Sequence, residues 1–155
     1  DELPAKSAVT LRNAVENGAI VLDMAARGRN EAIAELAAAI PSARLPRGAR
    51  IAELALAREN AVSTDLGVGM AIPHARCAHL AQPLAVFGRC SAGIAFSAQA
   101  DSPVRLAVLL VIPADQPEAH LTLLAQLARI AADASLRERL LSADSAGQII
   151  EILSE

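Results

Sequence analysis

A histidine stands directly after a proline in the segment GVGMAIPHAR, at position 74. Pro73 restricts Ile72 to extended geometry, so we expect the short apolar strand at 70–72 to end there and His74 to enter a loop. A neutral imidazole is a nucleophile, and its ordinary pKa is close to physiological pH. One ring nitrogen of His74 could therefore attack phosphorus if a hydrogen bond to the other nitrogen sets the tautomer.

Phosphoryl transfer also requires positioned donors for three anionic oxygens. The local candidates are Arg58, Arg76 and the backbone amides of the glycine-rich stretch that precedes His74. On spacing alone, a strand, a turn and a surface loop account for this segment equally well, because an isolated histidine and a Gly-x-Gly pair are common.

The same segment permits two other kinds of site. His74, Cys77 and His79 form an H-x2-C-x-H pattern, with Cys90 and His120 elsewhere in the chain. Structural zinc sites usually show two paired half-sites, and no second pair is present, so a metal site is disfavoured. Cys77 as a nucleophile is weaker still, because the sequence identifies no acidic residue to orient a base.

Two acids near the motif, Glu59 and Asp65, could belong to an active site. Such residues are more often solvated, and we assign a role to neither.

Two kinds of apolar pattern, one typical of strands and one typical of helices, alternate along the chain. Runs typical of strands occupy 19–24, 70–72, 84–90 and 104–112, and the last of these suits a central strand covered on both faces. A helix or turn is expected at 7–18, and helices at 31–40, 49–60, 118–133, 135–142 and 144–153, with a loop at 41–48 and a hairpin-like connection at 91–103. The alternation predicts a single α/β domain over 1–155: a mixed central sheet of about five strands flanked by helices on both faces.

Three of these helices have a predicted buried face, and Asn30 is the expected N-cap of the first. The predicted buried positions are Ile33, Leu36, Ala37 and Ile40 in the first, Ile51, Leu54, Ala55 and the stem of Arg58 in the second, and Leu121, Leu124, Leu127, Ala128 and Ala131 in the third.

The composition excludes several classes of protein. Hydrophobic residues make up 54% of the chain and charged residues 20%, which is enough apolar material for a packed core. Two Phe are the whole aromatic content and the net charge is −3, so a nucleic-acid partner is not expected. The chain has no apolar run long enough to cross a bilayer, and its N-terminus is no signal peptide. We expect a cytoplasmic protein with two reduced cysteines and no membrane insertion.

The segment RENAVSTDLGVGMAIPHAR, residues 58–76, resembles the signature of type-2 enzyme IIA domains of the bacterial phosphotransferase system, the fructose, mannitol and nitrogen-regulatory class. The resemblance implies that His74 is phosphorylated by a phosphocarrier protein and that Arg58 lies beside the phosphohistidine. HLTLLAQLA at 120–128 is similar to the context of the family's second histidine. His120 is thereby implied to orient His74 and to stabilise the phosphoryl group.

The resemblance extends over nearly the whole chain. LDMAARGRNEAIAEL is similar to the family's first strand and helix, and GIAFSAQADSPVRLAVLLVIP to its central hairpin and strand. Within the motif, Ser63, Thr64 and Arg76 are candidates for binding the phosphate or a partner. The chain departs from the family pattern at Asp65, where STG is frequent, and at Ser102, where DG is frequent. Asp65 adds a negative charge near an incoming phosphate.

The function implied by the resemblance is a phosphoryl carrier of the phosphoenolpyruvate-dependent phosphotransferase system, and thus a phosphotransferase component if active. Its implied partners are a histidine-phosphorylated phosphocarrier protein (HPr-like) and a IIB component or a regulated target or transporter. No metal or organic cofactor is implied.

The alternative is a regulatory binding module on the same fold, appended to or acting on a membrane transporter, with no sugar-phosphorylating role. LAVFGRCSAGIAF resembles transporter-appended IIA domains, which agrees with a first residue that is not Met. On this reading we expect a domain cut from a longer protein and tethered to a transporter.

Overall fold

The computed structural model describes residues 9–97 and 102–155. Its helices are α1 (Leu11–Asn17), α2 (Arg29–Ala38), α3 (Ile51–Ala61), α4 (Pro117–Ala132), α5 (Ala134–Ser142) and α6 (Ala146–Leu153). Its strands are β1 (Ala19–Val21), β2 (Met70–Ala71), β3 (His74–Cys77), β4 (Leu84–Ile94) and β5 (Val104–Pro113). A short 3₁₀ turn, Ser42–Arg44, lies within the loop predicted at 41–48.

The strands described form one mixed sheet in the order β1-β4-β5-β2, with β3 also paired to β5 on the β2 side. β4 is antiparallel to β5, whereas β1 runs parallel to β4, and β2 and β3 both run parallel to β5. The predicted fold class, a mixed sheet of five strands in an α/β domain, is confirmed.

The central strand β5 explains the two-sided core. Its alternate residues point to opposite faces of the sheet. Ala107, Leu109 and Val111 pack into the cluster that contains α2 and α3, whereas Leu106, Val108, Leu110 and Ile112 pack into the cluster that contains α1, α4, α5 and α6. Helices therefore cover both faces, as the alternation of elements predicts.

Strand pairing is interrupted between β2 and β3, but the chain stays beside the sheet. Proline has no N–H to donate to a strand ladder. The Pro73 carbonyl nevertheless accepts a bond from the Leu110 amide at 2.9 Å, and pairing with β5 resumes at His74. The prediction that His74 enters a loop is wrong, because this carbonyl holds the chain beside β5 across the interruption.

The predicted buried residues Ile33, Leu36 and Ile40 are buried, whereas the buried faces of α3 and α4 differ in part from the predicted ones. Leu54 is 42% exposed and Leu121 is 72% exposed, and Ala128 is also exposed. The buried faces follow a different register: Ile51, Ala55 and Glu59 in α3, and Ala119, Leu123, Leu127 and Ile130 in α4. Alanine and leucine occur on several sides of both helices, so periodicity alone does not select the buried side.

The N-terminus of α2 also differs from its prediction. Gly28 is the N-cap, and its carbonyl accepts the first helical bond from the Ala32 amide. Asn30 lies inside the helix, where its side-chain oxygen accepts a bond from Arg29.

Two strands have different lengths from those predicted. β1 ends at Val21, whereas β4 continues to Ile94 through a register shift that begins at Arg89. Of the connection predicted at 91–103, residues 98–101 lie outside the described residues. Within the described part of the chain, no helix is long and apolar enough to cross a membrane.

Candidate functional site

His74 is the first residue of β3 and only 8% of its surface is exposed. Residues two apart on a strand share a face, so His74 and Arg76 lie on one face. Ala75 and Cys77 point to the other face, into the core beneath α2 and α3. The imidazole is thus presented on the side of the sheet where α4 packs.

One hydrogen bond determines the tautomer of His74. Its Nδ1 lies 3.0 Å from the carbonyl oxygen of Ile72. Because a carbonyl can only accept, Nδ1 must carry the proton, and the lone pair of the neutral ring is then on Nε2. Nε2 is the nitrogen available to a reacting group.

The structure brings His120 against His74. Their ring centroids are 4.7 Å apart, with the planes inclined by 59°. His120 lies in the first turn of α4, where the helix dipole disfavours a protonated imidazole and favours an anion. Its Nε2 is buried and has no hydrogen-bond partner among the described residues. A buried polar atom without a partner marks a position where a ligand could bond.

The surroundings keep both imidazoles neutral. Burial lowers the pKa of His74 most strongly, and the charges of Arg58 and Arg76 lower it further, against the opposing effects of the Ile72 bond and Glu59. Burial also lowers the pKa of His120, with additional contributions from His74, Arg76 and Arg58. A neutral His74 keeps its lone pair near pH 7, and the two guanidinium groups favour an anion beside it.

Arg58 and Arg76 reach this site from different elements. Arg58 lies in the last turn of α3, and its Nη1 donates to the Val62 carbonyl at 2.9 Å. This bond orients the guanidinium and leaves other N–H groups available for phosphate oxygens. Arg76 is exposed on β3.

The Ser63–Thr64 pair, predicted to bind the phosphate or a partner, lies in the loop that follows α3. Thr64 is buried, and both its donors are used by Glu59: the amide at 2.6 Å and the hydroxyl at 2.7 Å. Ser63 is exposed, and its oxygen accepts a bond from the Asp65 amide at 3.2 Å. Asp65 in turn accepts a bond from the Gly67 amide at 2.9 Å. Thr64 therefore anchors the loop, and the Gly67 amide is not free to bind phosphate.

Glu59 is a residue near the site to which the sequence analysis assigned no role. Only 2% of it is exposed. The available signal was its position four and eight residues after Ala55 and Ile51, the two other buried residues of α3.

The structure does not bring together the residues of the alternative metal pattern, His74, Cys77 and His79. Cys77 is on the opposite face of β3 from His74, and His79 is exposed with a positive φ of 65°. In the described ranges 9–97 and 102–155, no three His, Cys, Asp or Glu side chains form a group that could hold a metal ion. Burial raises the pKa of Cys77, which disfavours the thiolate that a nucleophile requires.

Comparison with protein families gives a match over residues 13–155 to the family described as the phosphoenolpyruvate-dependent sugar phosphotransferase system, EIIA 2. A fructose-specific EIIA component from Haloferax volcanii is 36% identical over 100 residues. That alignment covers 64% of this chain and 65% of the relative's own length.

Solved structures show the same architecture. The nitrogen regulatory protein IIA-Ntr from Neisseria meningitidis superposes with a TM-score of 0.75 at 32% identity, covering 86% of this chain and 92% of that one. The mannitol enzyme IIA from Escherichia coli, solved in complex with phosphorylated enzyme IIB, gives a TM-score of 0.70 at 22% identity, covering 99% of this chain and 97% of that one. The second likeness concerns the fold alone.

Proposed function

Because the chain belongs to the EIIA 2 family of the phosphoenolpyruvate-dependent sugar phosphotransferase system, we propose that it carries a phosphoryl group on Nε2 of His74. The donor is a histidine-phosphorylated phosphocarrier protein of the HPr-like kind. The observation that carries the proposal is the pair of apposed imidazoles, with Nδ1 of His74 bonded to Ile72 and the His120 Nε2 atom unpartnered among the described residues.

The transfer follows from this geometry. The Nε2 lone pair of His74 attacks phosphorus, the new N–P bond forms, and the donor's N–P bond breaks with its electron pair returning to the donor nitrogen. The Nδ1 proton stays on His74 against the Ile72 carbonyl. The phosphoryl oxygens are negatively charged throughout the transfer, and Arg58, Arg76 and an N–H of His120 stabilise that charge.

The surface around the site suits a protein as donor. Val62, whose carbonyl holds Arg58, is 64% exposed, and Leu121, which follows His120, is 72% exposed. Apolar side chains exposed beside a charged site are typical of a surface that binds another protein. The proposed partners are the phosphocarrier protein and then a IIB component, as in the mannitol complex, or a regulated target.

A regulatory output is the second candidate. It is favoured by the likeness to the Neisseria nitrogen regulatory protein, which covers 92% of that chain. In this case the domain, 1–155, signals its phosphorylation state to a partner such as a transporter and does not pass the group to a sugar-specific component. The chemistry at His74 is the same, and only the recipient differs.

The experiment is phosphorylation with enzyme I, a phosphocarrier protein and phosphoenolpyruvate. We expect one acid-labile, base-stable phosphate on the chain and none on the His74→Ala protein. His79→Asn is the matched control, because asparagine tolerates the positive φ at this exposed position. Equal labelling of His74→Ala and the unmodified sequence would refute the assignment. Addition of a IIB component then separates the two outputs, since only a sugar-pathway carrier loses its phosphate to it.

A further inference from the structure

The carboxylate of Glu59 takes no part in the proposed transfer, yet it is almost fully buried. None of the ion pairs among the described residues includes it. Burying a carboxylate without a cationic partner is costly unless hydrogen bonds satisfy it. Both its oxygens accept bonds from a single residue, Thr64, at 2.6 Å from the amide and 2.7 Å from the hydroxyl.

From Thr64 a chain of hydrogen bonds leads to the reacting imidazole. The Thr64 carbonyl accepts a bond from the Ile72 amide at 3.2 Å. The Ile72 carbonyl in turn lies 3.0 Å from Nδ1 of His74. Two links, Glu59 to Thr64 and Thr64 to Ile72, thus connect Glu59 on α3 with the bond that determines the His74 tautomer.

Ile72 depends on this connection because it lies outside the sheet ladder. β2 ends at Ala71 and β3 begins at His74, so no residue of β5 pairs with Ile72. Its amide bonds to Thr64 instead. Ile72 is therefore held through its amide by the loop that Glu59 anchors, and through the next residue by the bond from the Leu110 amide to the Pro73 carbonyl.

We propose that Glu59 is a positioning residue: by holding Thr64 it orients the Ile72 carbonyl and keeps the His74 proton on Nδ1. This inference rests on the proposed function, because it concerns which nitrogen of His74 is free to accept phosphate. The role belongs to the reach of the side chain, since its two terminal atoms have to bond to the Thr64 amide and the Thr64 hydroxyl at once.

The test compares two substitutions that separate reach from charge. Glu59→Gln keeps the length of the side chain and loses the charge: its amide oxygen can accept from the Thr64 amide, and its NH2 can donate to the Thr64 hydroxyl, which also accepts. Glu59→Asp keeps the charge and shortens the reach by about 1.5 Å. The readout is the ¹⁵N NMR spectrum of the His74 ring in the unphosphorylated protein at a pH where the ring is neutral. This readout does not require the protein to accept phosphate.

We expect the unmodified chain and Glu59→Gln to show the Nδ1–H tautomer. Glu59→Asp should lower the ratio of Nδ1–H to Nε2–H by roughly tenfold, about the value of one hydrogen bond. Phosphoryl transfer by Glu59→Asp should fall in kcat while the KM for the phosphocarrier protein changes little. Glu53→Gln is the control, because Glu53 is an exposed residue of the same helix.

An unchanged tautomer ratio in folded Glu59→Asp would overturn the proposal, and so would a loss in Glu59→Gln as large as that in Glu59→Asp. Should Glu59→Asp not fold, Thr64→Val removes only the hydroxyl bond and should shift the ratio in the same direction; no shift there overturns the proposal equally. A chain with the expected tautomers that accepts no phosphate would refute the proposed function and leave the positioning role in place.

Discussion

Replacing His120 by alanine should weaken the phosphorylated state of His74 and leave the unphosphorylated fold almost intact. The His120 ring lies 4.7 Å from that of His74, and its Nε2 is buried without a partner among the described residues. In the unphosphorylated protein this atom forms no hydrogen bond with the described residues, so its removal should cost little stability. On phosphorylation the same atom can donate to a phosphoryl oxygen.

The magnitude follows from the type of bond. A hydrogen bond to a charged group contributes about 1.5–3 kcal/mol, and each 1.4 kcal/mol is a factor of ten. His120→Ala should therefore shift the phosphoryl equilibrium between chain and phosphocarrier protein by roughly 10- to 150-fold towards the carrier. Without phosphate, the free energy of unfolding should change by no more than about 1 kcal/mol, because the side chain is only partly buried.

The assay measures the partition of phosphate between the two proteins at equilibrium, together with urea unfolding of the unphosphorylated chain. His120→Gln is the matched variant, since the glutamine amide nitrogen reaches about the position of Nε2 and should recover part of the loss. An equilibrium unchanged in His120→Ala would refute the reasoning. A large loss of stability with normal phosphorylation per folded molecule would show that His120 serves only packing.

Four further predictions concern other features of the structure. Arg58→Ala should slow phosphoryl transfer by on the order of a hundredfold, as for the loss of one oxyanion donor. Arg58→Lys should recover only part of the lost rate. A large loss of Tm in Arg58→Ala with a normal transfer rate would contradict this prediction. Burial and the charges of Arg58 and Arg76 lower the pKa values of His74 and His120 in the folded protein, although Glu59 opposes this shift at His74. As the pH falls, the unfolded chain therefore takes up protons before the folded protein does. The contribution of these two histidines to the free energy of unfolding should therefore be constant well above the ordinary histidine pKa of 6.5 and fall as pH drops below it. A His74→Gln/His120→Gln double variant should lose that dependence. Phosphorylation of His74 should raise the pKa of His120 in an NMR titration, because the phosphoryl group is negative. An unchanged or lower pKa of His120 would contradict the proposed contact. Gly18→Ala should cost about 3 kcal/mol or more in urea unfolding, because a Cβ there would lie 2.0 Å from the Ala85 carbonyl oxygen; a cost below about 1 kcal/mol would mean that the backbone shifts freely.

Prediction of the fold from the sequence succeeded where the signal is local and failed where it depends on packing. The run at 104–112, between two prolines, predicts the central strand that β5 becomes. Leu54 and Leu121 look like core residues by composition, yet both are exposed, because each helix turns a different side towards the sheet. Glu59 looks like a solvated acid, yet it is buried, because it has a partner five residues further along that satisfies both oxygens.

By itself, the sequence determined the α/β class, the proline that ends β2 and the two motif segments that contain His74 and His120. These depend on dihedral restrictions and on the order of residue types, which act within a few positions of the chain. Only the tertiary structure decided that the two imidazoles meet, because their contact requires β3 to pair with β5 and α4 to pack on the same face of the sheet. It also decided which nitrogen of His74 is free, because Nδ1 lies 3.0 Å from the Ile72 carbonyl. The Ile72 amide bonds to Thr64, and Thr64 bonds to a glutamate on a helix that the local sequence pattern cannot place.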